Sequence, residues 1–120
     1  MKFAVAVVLA LGPWPLATIP SVGTVTWRCD HGRYALAFHA FRDNATDEVT
    51  YAGATHVVQP GQWLRLPPSR ALRQRITFVQ GIEPGTLRAT VDVDFRPRPV
   101  SPSHCFSYLP PGVTVHVSPR

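Results

Sequence analysis

A segment of 13 residues that carries one tryptophan and four arginines is the densest group of potential binding side chains in the chain. Indole and guanidinium groups together suit protein hot spots as well as carbohydrate or phosphate groups. We therefore predict that this segment is where a partner binds, and a proline pair within it stiffens the loop. The same pattern also fits a core tryptophan whose edge is solvated by arginines. The predicted partner-binding residues are Trp63, Arg65, Arg70, Arg73 and Arg75.

Side chains that could carry catalysis or bind a metal are scattered along the chain. A zinc site needs three or four converging ligands, and the five histidines stand singly on different predicted strands and turns. Asp92 and Asp94 share a strand face that His104 or His116 could join, which is the alternative that the pattern leaves open. No nucleophile turn and no carboxylate pair of the glycosidase kind stands out. We predict no catalytic residue, no metal and no cofactor, and therefore a protein that is not an enzyme.

Two cysteines, Cys29 and Cys105, follow an apolar N-terminus. Residues 3–11 are almost all aliphatic after a single lysine, which is the layout of a secretory signal. The best cleavage motif ends at Gly23, so we predict a signal peptide at 1–23 and a β-sandwich domain at 24–120. The protein is then expected to be secreted or periplasmic. The alternative is that residues 3–11 form a buried first strand. In an oxidising compartment the cysteines are expected to pair, and this disulfide would destabilise the unfolded chain by roughly 4.5 kcal/mol.

The charge balance narrows the choice of partners. The formal net charge is +5, and the positive residues are 11 arginines and Lys2. Such an excess favours anionic partners such as polysaccharide, lipid head groups or nucleic acid, and it does not choose among them. The partner that we predict is an extracellular protein or an anionic polysaccharide, and not a specific nucleic acid. No apolar run after the leader is long enough to span a bilayer. Asn44-Ala45-Thr46 is a glycosylation sequon, which would be used only in a eukaryotic or viral source.

The elements that must position these residues are strands, because the hydrophobic pattern has period two. From residue 87 to residue 95 apolar and polar side chains alternate strictly, which predicts a half-buried antiparallel strand. Residues 33–41 are apolar on both faces, as in a central strand. Val113, Val115 and Val117 are predicted to form the last inward face. Together the pattern predicts an all-β, single antiparallel sandwich of about seven to eight strands with one disulfide.

Two stretches resemble known families. Residues 44–51 and the turn at 57–62 resemble exported bacterial immunoglobulin-like domains, in which an Asn-Thr turn and a Pro-Gly turn lead into successive strands. This resemblance implies an immunoglobulin-like or fibronectin-like sandwich and no function. Residues 27–41 resemble the start of secreted C-type lysozyme inhibitors, where an aromatic-x-Cys-x-x-Gly turn opens a small β-barrel. The inhibitory Ser-Ala-Ser-Gly-x-Arg-Tyr loop of that family has no counterpart between Leu66 and Val79.

These observations predict a secreted, non-catalytic binding or interaction module. Inhibition of a secreted hydrolase, as the lysozyme-inhibitor resemblance implies, is the first alternative. A structural component of an envelope or a virion is the second.

Overall fold

The computed structural model of the protein describes residues 13–30, 32–42, 45–82, 85–96 and 111–119. Over these ranges the chain forms nine β-strands and no helix. The strands are β1 (Trp14–Ile19), β2 (Gly23–Asp30), β3 (Arg33–Ala40), β4 (Asp47–Tyr51), β5 (Ala54–Val58), β6 (Trp63–Arg65), β7 (Arg73–Ile82), β8 (Gly85–Asp94) and β9 (Gly112–Pro119).

The strands make two antiparallel sheets. The four-stranded sheet has the order β1-β2-β3-β6, and the five-stranded sheet has the order β5-β4-β7-β8-β9. Every pairing is antiparallel. The all-β class predicted from the alternation is therefore confirmed, and β3 lies between two neighbours as its apolar composition indicated.

Strict alternation builds the strands that face the core. In β8 and the residue after it, Ala89, Val91, Val93 and Phe95 are buried, whereas Arg88 is exposed. A slip of one residue would exchange these faces and bury charged groups, so the pairing register is strongly specified. The sequence prediction for this strand is confirmed.

Aromatic side chains join the two sheets into one core. Phe38 on β3 and Phe78 on β7 have ring centroids 4.7 Å apart. Phe95, just after β8, stacks on Tyr34 of β3 at 4.3 Å and lies 5.5 Å from Trp27 of β2. Since these rings come from both sheets and are buried, they contribute much of the hydrophobic stabilisation.

A buried glutamine also links the sheets. The Gln74 amide nitrogen on β7 donates to the carbonyl oxygen of Tyr34 at 3.2 Å and to that of Ala71 at 3.1 Å. Its amide oxygen accepts from the Tyr51 hydroxyl at 2.7 Å. Because every one of these bonds is made inside the protein, the amide specifies the packing without leaving a buried polar group unpaired.

The N-terminal hairpin bears on the predicted domain boundary. Residues Trp14 to Ile19 pair with β2, and Ile19 and Val22 are fully buried in the core. The cleavage point predicted before Thr24 falls at the start of β2. A domain that began there would lack an edge strand of the four-stranded sheet and two core side chains. Residues 1–12 lie outside the described residues.

The last strand faces the core as predicted but is only partly covered. Val115 and Val117 are 37% and 43% exposed. Their partners on β8 are buried, so both valines lie on the core side of the sheet, at its margin, because β9 is an edge strand. Asp47, which follows the polar residue Thr46, opens β4 and is fully buried.

Candidate functional site

The arginine-rich segment predicted from the sequence is divided between the two sheets. Trp63 and Arg65 belong to β6 in the four-stranded sheet, whereas Arg73 and Arg75 begin β7 in the five-stranded sheet. Arg70 is exposed in the connection between them. The structure therefore brings the first two residues together and separates them from the last two.

The connection stays along β3 before it crosses to the other sheet. The backbone nitrogen of Leu66 donates to the oxygen of Leu36 at 2.9 Å. Tyr34 and Ser69 then exchange two backbone hydrogen bonds of 2.7 and 3.0 Å. These bonds attach the chain after the short β6 to β3. The backbone that carries Trp63 and Arg65 is therefore held by hydrogen bonds that continue past the end of β6.

A groove crosses the outer face of the four-stranded sheet, on the side away from the core. The register pairs Ala37 with both Thr26 of β2 and Arg65 of β6, and it pairs Ala35 with Arg28. The cavity has a volume of about 450 Å³. We call it the outer groove, and its principal residues are Thr26, Arg28, Ala35, Ala37, Trp63 and Arg65.

The aromatic wall of the outer groove is Trp63. Its ring stacks on the His39 imidazole with centroids 4.5 Å apart and an angle of 13° between the planes. The Arg65 guanidinium carbon lies 5.3 Å from the centre of the same ring, within the range of a cation–π contact. The indole is nevertheless 47% exposed. The alternative that Trp63 is the core tryptophan is therefore wrong, since Trp27 occupies that place with 7% exposure.

The floor of the outer groove is low and contains an unpaired hydroxyl. Ala35 and Ala37 lack bulk, so the sheet surface between β2 and β6 is recessed. The Thr26 hydroxyl oxygen is buried and has no hydrogen-bond partner among the described residues. A buried hydroxyl without a partner costs free energy, and because the oxygen is buried it does not itself contact the space of the groove.

The charge of the outer groove is uncompensated. Arg28 and Arg65 line it, none of the described side chains in its lining is a carboxylate, and neither guanidinium forms an ion pair with a described residue. The two arginines lie on strands that flank β3, so their backbones are roughly 10 Å apart across the sheet. The groove therefore presents two separated positive charges beside an exposed indole.

A second cavity, of about 610 Å³, lies where β7, β8 and β9 run side by side, and it contains Arg73, Arg75, Asp92 and Asp94. The Arg75 side chain bonds the Asp92 carboxylate with an N–O distance of 2.7 Å. Asp94 accepts from Arg96, also at 2.7 Å, and these hydrogen bonds lower the pKa of the Asp94 carboxyl. Since its charges neutralise one another, this larger cavity is a weaker candidate than the outer groove.

No cluster that could hold a metal ion is visible in the described part of the chain. No group of three or more His, Cys, Asp or Glu side chains occurs there, and Asp92 and Asp94 are engaged by arginines. Asp47 has an unusual environment, since burial raises its pKa to about 6. It contacts Gln80 on β7 and lies in the core, away from the groove lining.

The remaining predicted site residues are only partly visible. Cys29 is buried on β2, and its predicted partner Cys105 lies outside the described residues, so the disulfide stays a prediction. Asn44 of the sequon also lies outside them. Sequence reasoning missed Arg28 and Thr26, although both occupy the polar positions that alternate with Val25, Trp27 and Cys29.

Comparison with family models, curated proteins and solved structures finds no match to this chain. Within the described residues no helix is long and apolar enough to cross a membrane.

Proposed function

We propose that this protein is a secreted, non-catalytic binding module that takes its partner in the outer groove. The observation that carries the proposal is the set of unpaired guanidiniums, Arg28 and Arg65, beside the exposed and stacked indole of Trp63. Stacking on His39 restricts the ring before any partner arrives, which lowers the entropy lost on binding.

We further propose that the scaffold is an immunoglobulin-like sandwich closed by a Cys29–Cys105 disulfide. Two antiparallel sheets that share one aromatic core support the sandwich. Cys29 is buried on the core side of β2, which supports a disulfide formed within the domain. In such domains the sheets form a rigid support for a binding surface, which is the arrangement found at Trp63 and Arg65.

The test compares two sets of alanine substitutions in the immobilised full chain. One set removes the groove side chains, Trp63→Ala with Arg65→Ala, and the other removes Arg70, Arg73 and Arg75. We expect the first set to lose the material that the wild type captures from culture medium, and the second to retain it. Circular dichroism melting controls for folding.

Capture that survives the groove substitutions would contradict the proposal. Loss only in the second set would return the binding site to the Arg70–Arg75 segment. A captured hydrolase that the wild type inhibits, but the groove variant does not, would narrow the function to inhibition.

A further inference from the structure

We infer that the ligand of the outer groove is an anionic saccharide, a sugar chain that carries carboxylate or sulfate groups; this inference rests on the function proposed above. Charge is its first support. Among the described lining residues Arg28 and Arg65 meet no carboxylate, whereas Arg75 on β7 and Arg96 just after β8 are each held by an aspartate. The unpaired guanidiniums are therefore complementary to a ligand that brings its own negative groups.

The second support is the exposed indole at the wall. Sugar hydroxyls both donate and accept, and a sugar ring also has apolar C–H faces that pack against an indole. Trp63 provides such a surface at the wall, with nearly half of its side chain exposed.

The third support is the shape. Arg28 and Arg65 lie on opposite sides of β3, roughly 10 Å apart across the sheet and two residues apart along it. Between them Ala35 and Ala37 leave the floor open. A narrow chain with charges that recur along its length can cross β3 and meet both arginines. A flat protein surface would contact the rim at Trp63 and leave the recessed floor unfilled.

The experiment is isothermal titration calorimetry of the full chain with three probes of matched length. The probes are tetragalacturonate with carboxylates, a heparin tetrasaccharide with sulfates, and neutral maltotetraose. We expect at least one anionic probe to bind, the neutral probe to bind at least tenfold more weakly, and the better anionic probe to identify the charged group. Added salt should weaken the anionic binding.

Four variants distinguish the groove from general attraction by a basic protein. Arg28→Ala and Arg65→Ala should each weaken anionic binding about 10- to 100-fold, because each removes a charge-assisted hydrogen bond. Thr26→Val keeps the shape of the floor, removes a hydroxyl that is buried beneath it, and should change binding less than twofold. Arg88→Ala, an exposed arginine on β8 in the other sheet, is the matched control and should change binding less than twofold.

Several results would overturn the inference. One is equal binding of the neutral and anionic probes, and another is an Arg88→Ala loss as large as that of Arg65→Ala. Absence of binding to every probe would also overturn it. In that last case the capture experiment still decides the proposed function, because loss of captured material in the Trp63 and Arg65 variant would keep a binding module with another ligand.

Discussion

Replacement of Asp47 by asparagine should remove a pH dependence from the stability of the fold. Asp47 opens β4, where it pairs with Val58 of β5 and Gln80 of β7. One carboxylate oxygen accepts from the Gln80 amide at 2.9 Å, and the other is buried without a partner. Loss of water from a charged carboxylate is unfavourable, so burial raises the pKa of Asp47 from 3.8 to about 6.

The sign and size of the effect follow from proton linkage. Because the folded state holds the Asp47 proton more tightly than the unfolded state, the free energy of unfolding falls as the pH rises from about 4 to about 6. The difference between a pKa of about 6 and the ordinary 3.8 corresponds to about 3 kcal/mol. This destabilisation is fully present above pH 6 and absent well below pH 4.

The assay is urea unfolding of the wild type and of Asp47→Asn at several pH values between 3 and 8. Asparagine accepts the same Gln80 hydrogen bond but does not titrate. We expect the stability difference to shift by about 3 kcal/mol in favour of Asp47→Asn between pH 3 and pH 8. Other titrating groups cancel because both proteins contain them. A difference that stays constant, or that moves toward the wild type as the pH rises, would refute the desolvation argument.

Three further predictions concern the backbone. Gly23→Ala should destabilise the fold by roughly 1–3 kcal/mol, because the new Cβ would overlap the His39 carbonyl oxygen. The control is Gly81→Ala, whose new Cβ meets no atom, and it should have little effect in the same urea titration. Ala52→Asn should raise the unfolding free energy by about 1 kcal/mol, because Ala52 has a φ of 50° that asparagine tolerates better. A chain that begins at Thr24 should be at least about 3 kcal/mol less stable than one that begins at Pro13, because it lacks β1 and two core side chains.

Each of these predictions can fail in a recognisable way. Equal destabilisation by the two glycine substitutions would mean that strand propensity, and not the Gly23 contact, sets the cost. An Ala52→Asn variant with a lower urea midpoint would contradict the turn argument. If the chain that begins at Thr24 were as stable as the longer one, the pairing of β1 would contribute nothing to the domain.

The sequence predicted the strand positions where one face of the strand is buried and the other is exposed to solvent. The alternation that ends at Phe95 predicted β8 because its polar residues face solvent. The same rule placed Val115 and Val117 on the core side but did not indicate their exposure, since an edge strand shows the same alternation as a covered one. It also missed the burial of Asp47, because a carboxylate beside Asn44 and Thr46 has the composition of a turn.

The candidate site was only half predictable for a topological reason. Trp63 and Arg65 were identified by composition, but the arginines at 70–75 follow the chain into the other sheet. Arg28 enters the groove only because β2 pairs with β3, and residue spacing along the chain does not specify that neighbour. The apolar residues on both faces of β3 predicted a central strand, and two of them, Ala35 and Ala37, are the floor of the groove.

The most direct test of the outer groove is a ¹⁵N–¹H NMR titration of the full chain with the tighter-binding of the two anionic probes, tetragalacturonate or the heparin tetrasaccharide. We predict that the largest shifts occur at the indole N–H of Trp63 and at the backbone amides of Ala35 and Ala37. The amides of Arg73 and Arg75 on the other sheet should remain near their free positions. Shifts centred on Arg73 and Arg75, or spread evenly over all the arginines, would contradict the assignment of the binding site to the outer groove.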